Sequence, residues 1–276
     1  MTHPPEFPPR SARQPPSTRD FAAAKAAGEK LALVTAYDAW SARLLAELPV
    51  DALLVGDSAM MVMHGERDTL GATPELMAQH TRAVARGAPG KLLIADMPFL
   101  TVRHGRTHAL DCAAQLLRAG AHAVKIEGVR GHAEVIHHLV ESGIPVMGHA
   151  GLTPQSVHRF GGYRVQGRDE SAATIIREDI AAMEAAGCFA VVLECIPQKL
   201  ASEITAASRI PTIGIGAGRD CDGQVLVLHD LLGLYPDFQP RFARRFVDGA
   251  ALVRQGVGRF SAAVKRGTFP KTRESF

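Results

Sequence analysis

Apolar residues in this chain fall in short unbroken runs that stop at a charged or polar residue, with longer stretches of helical spacing between them. From Lys30 onward the strand-like runs are 31–37, 51–56, 91–96, 121–127, 144–149, 189–194, 211–215 and 224–229. Runs this short and this apolar suit parallel strands buried on both faces. The segments between them carry helix start and stop signals. Thr73-Pro74 supplies an N-cap and a proline at the first helical position, and that helix closes at Gly87. His108–Ala119 closes at Gly120 and Ser171–Ala186 at Gly187. Ser17-Thr18 opens an alanine-rich helix that Gly28 ends, and 241–264 reads as a long amphipathic helix. The repeated Pro-Pro pairs of residues 1–16 predict a flexible N-terminus, and 265–276 predicts a polar tail.

Eight strand candidates with intervening helices fit a single (β/α)₈ TIM barrel over 17–264, with an extra N-terminal helix. The rival is an open doubly wound sheet, in which site residues gather at one crevice. Here they end at least five different strands, and only a barrel brings all of those ends to one mouth.

The strand ends carry the chemistry. LLVGDS ends in Asp57 and Ser58, LLIAD in Asp96, AVKIE in Glu127 with Lys125 two residues earlier, and AVVLE in Glu194. One acidic residue after a strand is most often a turn or cap. Four of them, plus a lysine inside an apolar strand, point to a site, because lysine is almost never fully buried without a partner. Asp57, Asp96 and Glu127 offer only oxygen ligands, which suit Mg²⁺. A metal with two free positions can chelate a 2-keto acid and stabilise the enolate formed when the adjacent carbon loses a proton. Glu194, leaving the apolar run Phe189–Leu193, is the candidate base, its proton affinity raised by burial. His149 is a weaker candidate for the mouth. IGIGAG (213–218) lacks dinucleotide-loop spacing and reads as close backbone packing. GGYRVQGRD (161–169) reads as a lid or a long connection.

Composition narrows the class. Across 276 residues, 31 basic against 28 acidic side chains leave a net charge of +3, too balanced for an electrostatic nucleic-acid binder. The hydrophobic fraction of 46% is ample for a large core. Cysteines 112, 188, 195 and 221 show no C-x-x-C spacing and read as thiols of a reducing compartment. No apolar run is long enough to span a bilayer. These features predict a cytoplasmic enzyme with small-molecule partners, and neither nucleic acid nor membrane.

The motifs TAYD (35–38), GDS (56–58), ADMPF (95–99), KIEG (125–128), GHAGLTPQS (148–156), GGYRVQGR (161–168), LEC-x-P (193–197) and IGIGAG…DGQVLVLHD (213–230) occur in order. The set closely resembles the ketopantoate hydroxymethyltransferase family over about residues 17–268. The resemblance implies a barrel that assembles as a homo-oligomer, a decamer in bacteria. It implies hydroxymethyl transfer from 5,10-methylenetetrahydrofolate to 3-methyl-2-oxobutanoate with Mg²⁺, giving ketopantoate for pantothenate synthesis. Carried over by motif, Asp57 and Asp96 are metal ligands, with Glu127 at or near the metal. Asp57, Ser58, Asp96 and Lys125 hold the keto acid, and Glu194 is the general base. The resemblance assigns no folate-pocket residue.

The chain departs from the family pattern after GDS. Ala59-Met60-Met61 stands where Leu-Gly-Met is usual, and GERDTLGAT (65–73) replaces a loop close to GHDSTLPVT. Two alternatives accompany the main reading. One is a Mg²⁺-dependent lyase or mutase of the isocitrate lyase and phosphoenolpyruvate mutase type, although the cysteine-bearing loop of isocitrate lyases is not evident. The other is a non-catalytic barrel, which the intact acidic positions oppose.

Overall fold

Strands buried on both sides cannot alternate polar with apolar residues, and each run read above contains an observed strand, although the last stops at Leu226 and residues 228–229 of the expected run open a short helix. The computed structural model describes residues 17–236 and 239–276; the expectation of a flexible 1–16 lies outside them. The strands are β1 (Leu31–Thr35), β2 (Ala52–Val55), β3 (Leu92–Asp96), β4 (Ala123–Glu127), β5 (Val146–Gly151), β6 (Ala190–Glu194), β7 (Thr212–Ile215) and β8 (Gly223–Leu226). They pair in sequence order into a closed barrel, and the pairs from β1 through β8 are parallel. The Leu31 N–H donates to the Asp222 carbonyl at 3.0 Å, joining the end of the chain of strands to its start.

The helices are α1 (Thr18–Ala27), α2 (Ala39–Ala46), α3 (Ala59–Val62), α4 (Pro74–Gly87), α5 (Arg106–Arg118), α6 (Ala133–Glu141), α7 (Val157–Phe160), α8 (Glu170–Ala185), α9 (Gln198–Ala207), α10 (Leu228–Leu231) and α11 (Gly249–Lys265). Local chemistry sets their ends. Thr73 caps α4 by accepting from the Leu76 N–H, and Asp169 caps α8 by accepting from Ala172. Gly28 ends α1 in the left-handed region at φ 70°.

The barrel interior is filled by inward residues of alternate strand positions, among them Leu33, Ala52, Leu54, Ile94, Ala123, Met147, Ala190, Val192 and Ile213. Helix α1 closes one end. Its Phe21 joins this interior cluster and meets the Phe189 ring edge-on at 5.6 Å. Lys25 of the same helix reaches Asp222 at 2.7 Å. Phe189 stands just before β6, so α1 lies at the strand N-terminal end and leaves the opposite mouth open.

The described residues divide into two compact units, one ending at Val225 and the other starting at Leu226. In the second, α11 begins at Gly249, later than the expected start at 241. Asp248 is the reason, since its carboxylate accepts from the Ala251 N–H and fixes the cap there. The Phe246 and Gly249 N–H groups donate to Leu231 and Leu232, tying the approach segment to the end of α10. Among the described residues no helix is long and apolar enough to cross a membrane.

Candidate active site

Alternation along the strands decides which side chains reach the mouth. On β4, Ala123 faces the interior, so Lys125 and Glu127 do too; on β6 the same parity carries Glu194 above Ala190 and Val192. Asp96 follows Leu92 and Ile94 on β3. Asp57 does not obey this rule. It shares parity with Leu53 and Val55, which lie outside the interior cluster, so a continued strand would have turned it away. Instead β2 ends at Val55, and the turn swings Asp57 over the mouth, where its N–H donates to Asp96 Oδ2 at 3.0 Å. Gly56 makes room for that turn, because a Cβ there would stand 2.7 Å from Ser58 Oγ.

Lys125 sits at the centre with 4% of its surface exposed. Its Nζ lies 3.0 Å from Asp96 Oδ1, 3.2 Å from His149 Nδ1 and 3.9 Å from Glu127 Oε1. Burial works against its charge. The carboxylates of Asp96, Glu127 and Asp57 outweigh that penalty and hold the ammonium above the ordinary lysine range.

One cation among several buried acids leaves the acids short of compensation. Burial, reinforced by the neighbouring Asp96 charge, pushes Asp57 up to about 7 against the pull of Lys125 and Gln155. Burial also drives Glu127 well above the usual carboxylate range. Glu194 is pushed up to about 8 by burial, with Lys125 opposing. Its Oε2 lies 3.2 Å from His149 Nε2. Burial first, and then the Lys125 charge, keep His149 neutral. Glu194 therefore faces a neutral ring instead of an imidazolium that would stabilise its charge.

All six residues expected from the sequence lie at this mouth, in two linked groups. Asp57, Asp96, Lys125 and Glu127 form one, and Glu194 stands across His149 from them. Ser58 Oγ is 2.8 Å from the phenol oxygen of Tyr37, which is buried and kept protonated by that burial. Tyr37 and Gln155 were not singled out by the sequence reading, though both lie in the motifs TAYD and GLTPQS. The Gln155 side chain donates to Asp57 Oδ2 at 2.7 Å, and its backbone N–H donates to Glu127 Oε2 at 2.9 Å. The glycine-rich loop 161–168 touches the altered segment 59–72 through Tyr163, whose hydroxyl points at Met61 Sδ at 3.6 Å. The same loop is tied to the residue after Glu194 by Gln166 N–H donating to the Cys195 carbonyl. IGIGAG packs closely, as expected: a Cβ at Gly214 would stand 2.9 Å from the Gln224 side chain.

Two buried carboxylate oxygens face the Lys125 ammonium, Asp96 Oδ1 at 3.0 Å and Glu127 Oε1 at 3.9 Å, and take no other hydrogen bond. Among the described residues no three His, Cys, Asp or Glu side chains are already gathered tightly enough to enclose a metal ion. Mg²⁺ does not need such a cage, since it takes one or two protein carboxylates and fills the rest with water and substrate oxygens. Hard carboxylate oxygens that each keep a lone pair beyond the contact with Lys125 fit that ion.

Comparison with known proteins agrees with the motifs. The sequence model described as ketopantoate hydroxymethyltransferase matches residues 16–272. A Bdellovibrio bacteriovorus 3-methyl-2-oxobutanoate hydroxymethyltransferase is 49% identical over 257 residues, covering 93% of this chain and 98% of that one. A Coxiella burnetii protein of the same description is 49% identical over 255 residues, covering 92% and 96%. Among solved structures, 2,3-dimethylmalate lyase, of the PEP mutase/isocitrate lyase superfamily, superposes with a TM-score of 0.60 at 16% identity over 94% of this chain and 91% of that one. At that identity the likeness concerns the barrel fold alone. On the family match and these two relatives, the chain belongs to the ketopantoate hydroxymethyltransferase family.

Proposed function

We propose that the chain transfers a hydroxymethyl group from 5,10-methylenetetrahydrofolate to 3-methyl-2-oxobutanoate, with Mg²⁺ held by Asp57 and Asp96 and with Glu127 beside it. The observation that carries this reading is the segregation of charge at the mouth. A carboxylate-lined pocket around the Lys125 ammonium sits beside a separate, proton-hungry Glu194. In balance, the C3–H bond of the keto acid and both C–N bonds of the folate methylene break, C3 bonds to that carbon and water supplies the hydroxyl oxygen. The C3 proton and the remaining water proton go to the two folate nitrogens, and tetrahydrofolate leaves.

Lys125 supports this chemistry by staying charged in a buried pocket, where its Nζ can meet an anionic or keto oxygen of the substrate. Ser58, oriented by Tyr37, donates its hydroxyl hydrogen to the substrate carboxylate. A bound Mg²⁺ supplies an electrophile that withdraws electron density from the keto oxygen. Glu194 takes the C3 proton on a carboxylate oxygen, and its raised proton affinity suits removal of a weakly acidic C–H proton near neutral pH. Neutral His149 leaves that affinity intact while filling the space between Glu194 and Lys125.

A lyase or mutase reading would rest on fold likeness alone, whereas the relatives that match in sequence are hydroxymethyltransferases. The deciding experiment incubates the protein with Mg²⁺, 3-methyl-2-oxobutanoate and 5,10-methylenetetrahydrofolate and measures ketopantoate. Product above the enzyme-free control is expected. Its absence, with cleavage of 2-methylisocitrate-type acids in place of it, would overturn the proposal. The reading also carries the expectation of a homo-oligomer, checked by light scattering.

A further inference from the structure

The three carboxylates of the cradle are held in one recurring way. Each spends one oxygen on an N–H donor from a turn at the mouth. Asp96 Oδ2 accepts from the Asp57 N–H, Asp57 Oδ2 from the Gln155 side chain, and Glu127 Oε2 from the Gln155 backbone N–H. The remaining oxygens of Asp96 and Glu127 are the two that face Lys125 Nζ, at 3.0 and 3.9 Å. Two of the three holding bonds come from one residue.

Gln155 occupies the short 3₁₀ turn Pro154–Ser156 that follows β5. Its amide nitrogen donates to Asp57 Oδ2 at 2.7 Å and to the Met97 carbonyl at 3.0 Å. Both partners are acceptors, so the amide has only one workable orientation: reversed, its oxygen would face a carboxylate and a carbonyl. Both amide hydrogens are spent. The residue thus joins the turn after β5 to the ends of β2, β3 and β4. A glutamine in an exposed loop would show none of this, and the half-buried position of Gln155 places it at the edge of the mouth.

We propose that Gln155 is the positioning residue of the metal cradle, fixing which oxygen of Asp57 faces the ion. The proposal rests on the reading above that Asp57, Asp96 and Glu127 receive Mg²⁺. Gln155 touches neither metal nor substrate in this role. It acts by removing the rotational freedom of Asp57, while its backbone N–H does the same for Glu127. Residues that orient ligands from behind typically change metal affinity or activity by about 10–100-fold when replaced.

The test uses metal-free protein, prepared by chelation and dialysis, titrated with Mg²⁺ in a calorimeter. Gln155→Met keeps nearly the same volume without donors, and retains the backbone N–H to Glu127. It is expected to bind Mg²⁺ about 10–100-fold more weakly than the unaltered chain. Turnover should fall at limiting Mg²⁺ and recover as Mg²⁺ is raised, a recovery that general structural damage would not give. Gln155→Asn keeps an amide but is one methylene short, and is expected to lose affinity as well. If either variant binds Mg²⁺ as tightly as the unaltered chain, the positioning role is overturned. If the unaltered chain itself shows no Mg²⁺ binding, the reading of the cradle fails instead. Circular dichroism of the metal-free variants establishes that each is folded before titration.

Discussion

Glu194→Gln isolates the proton-transfer step. The change is nearly isosteric and removes only the ability to carry a negative charge. Glu194 lifts from 4.5 to about 8 on burial. At about 1.4 kcal/mol per pH unit, ionising it in place costs on the order of 4–5 kcal/mol more than in water. That cost makes the carboxylate an avid base, and its loss should slow proton abstraction by roughly 10²–10⁴, or about 3–5 kcal/mol of barrier. The assay is exchange of the substrate C3 proton with deuterium, followed by NMR without folate, so that only this step is read. Keto-acid affinity should stay nearly unchanged. Stability supplies an independent check. A folded acid with a raised pKa favours its protonated form, so its contribution is intact below pH about 4.5 and is lost as pH rises through about 8. The glutamine variant escapes that loss, and its Tm advantage should grow across this window and then level off. A bound divalent cation stabilises the carboxylate, and therefore moves the acid limb of exchange downward from about 8 and never upward. Normal deuterium exchange in the variant would refute the assignment of the base.

Three further perturbations address the rest of the mouth. Asp96→Ala removes both the nearest counter-ion of Lys125 and the acceptor of the Asp57 N–H; a stability loss of about 3–5 kcal/mol and disappearance of Mg²⁺-dependent keto-acid binding in calorimetry are expected, and unchanged affinity would remove Asp96 from the metal site. Tyr37→Phe deletes the partner of the Ser58 hydroxyl, which should raise the keto-acid KM by more than it lowers kcat, at a cost of about 1–3 kcal/mol; an unaltered KM contradicts the role given to Ser58. Gly151→Ala puts a Cβ into the carbonyl of Glu194 at a residue with φ 90°. It should lower the melting temperature, with a penalty of about 1–3 kcal/mol, and a thermal melt identical to that of the unaltered chain would show that β5 tolerates the side chain.

Much of this was legible in the residues themselves. A lysine in the apolar run AVKIE demands partners, and the parity of β4 names Glu127 as one of them. The barrel follows because site residues end so many strands. Other parts were hidden for identifiable reasons. Strand parity misplaces Asp57, because its position depends on where β2 stops and on the turn at Gly56, a backbone event that side-chain periodicity does not record. Gln155 and Tyr37 act through bonds between residues distant in sequence, and a polar residue in a loop has the same appearance whether it is solvated or clamped. The start of α11 was misjudged for a simpler reason: apolar spacing continues through 241–248, whereas the Asp248 cap, a single hydrogen bond, decides the boundary.

The register of the parallel strands sets Asp96 beside Lys125, Glu127 beside His149, and Gly151 beside Glu194 on neighbouring rungs. Each contact in the mouth is therefore also a statement about how two strands are aligned. A slip of one residue between β3 and β4 would carry Lys125 to the opposite face of the sheet and leave Asp96 against an isoleucine or a valine. With the keto acid held as proposed, pieces of the barrel are not expected to bind it, however helical they are. During refolding, return of the far-UV helical signal and return of ligand binding should consequently separate in time, and the later event dates the moment at which the last strands find their alignment.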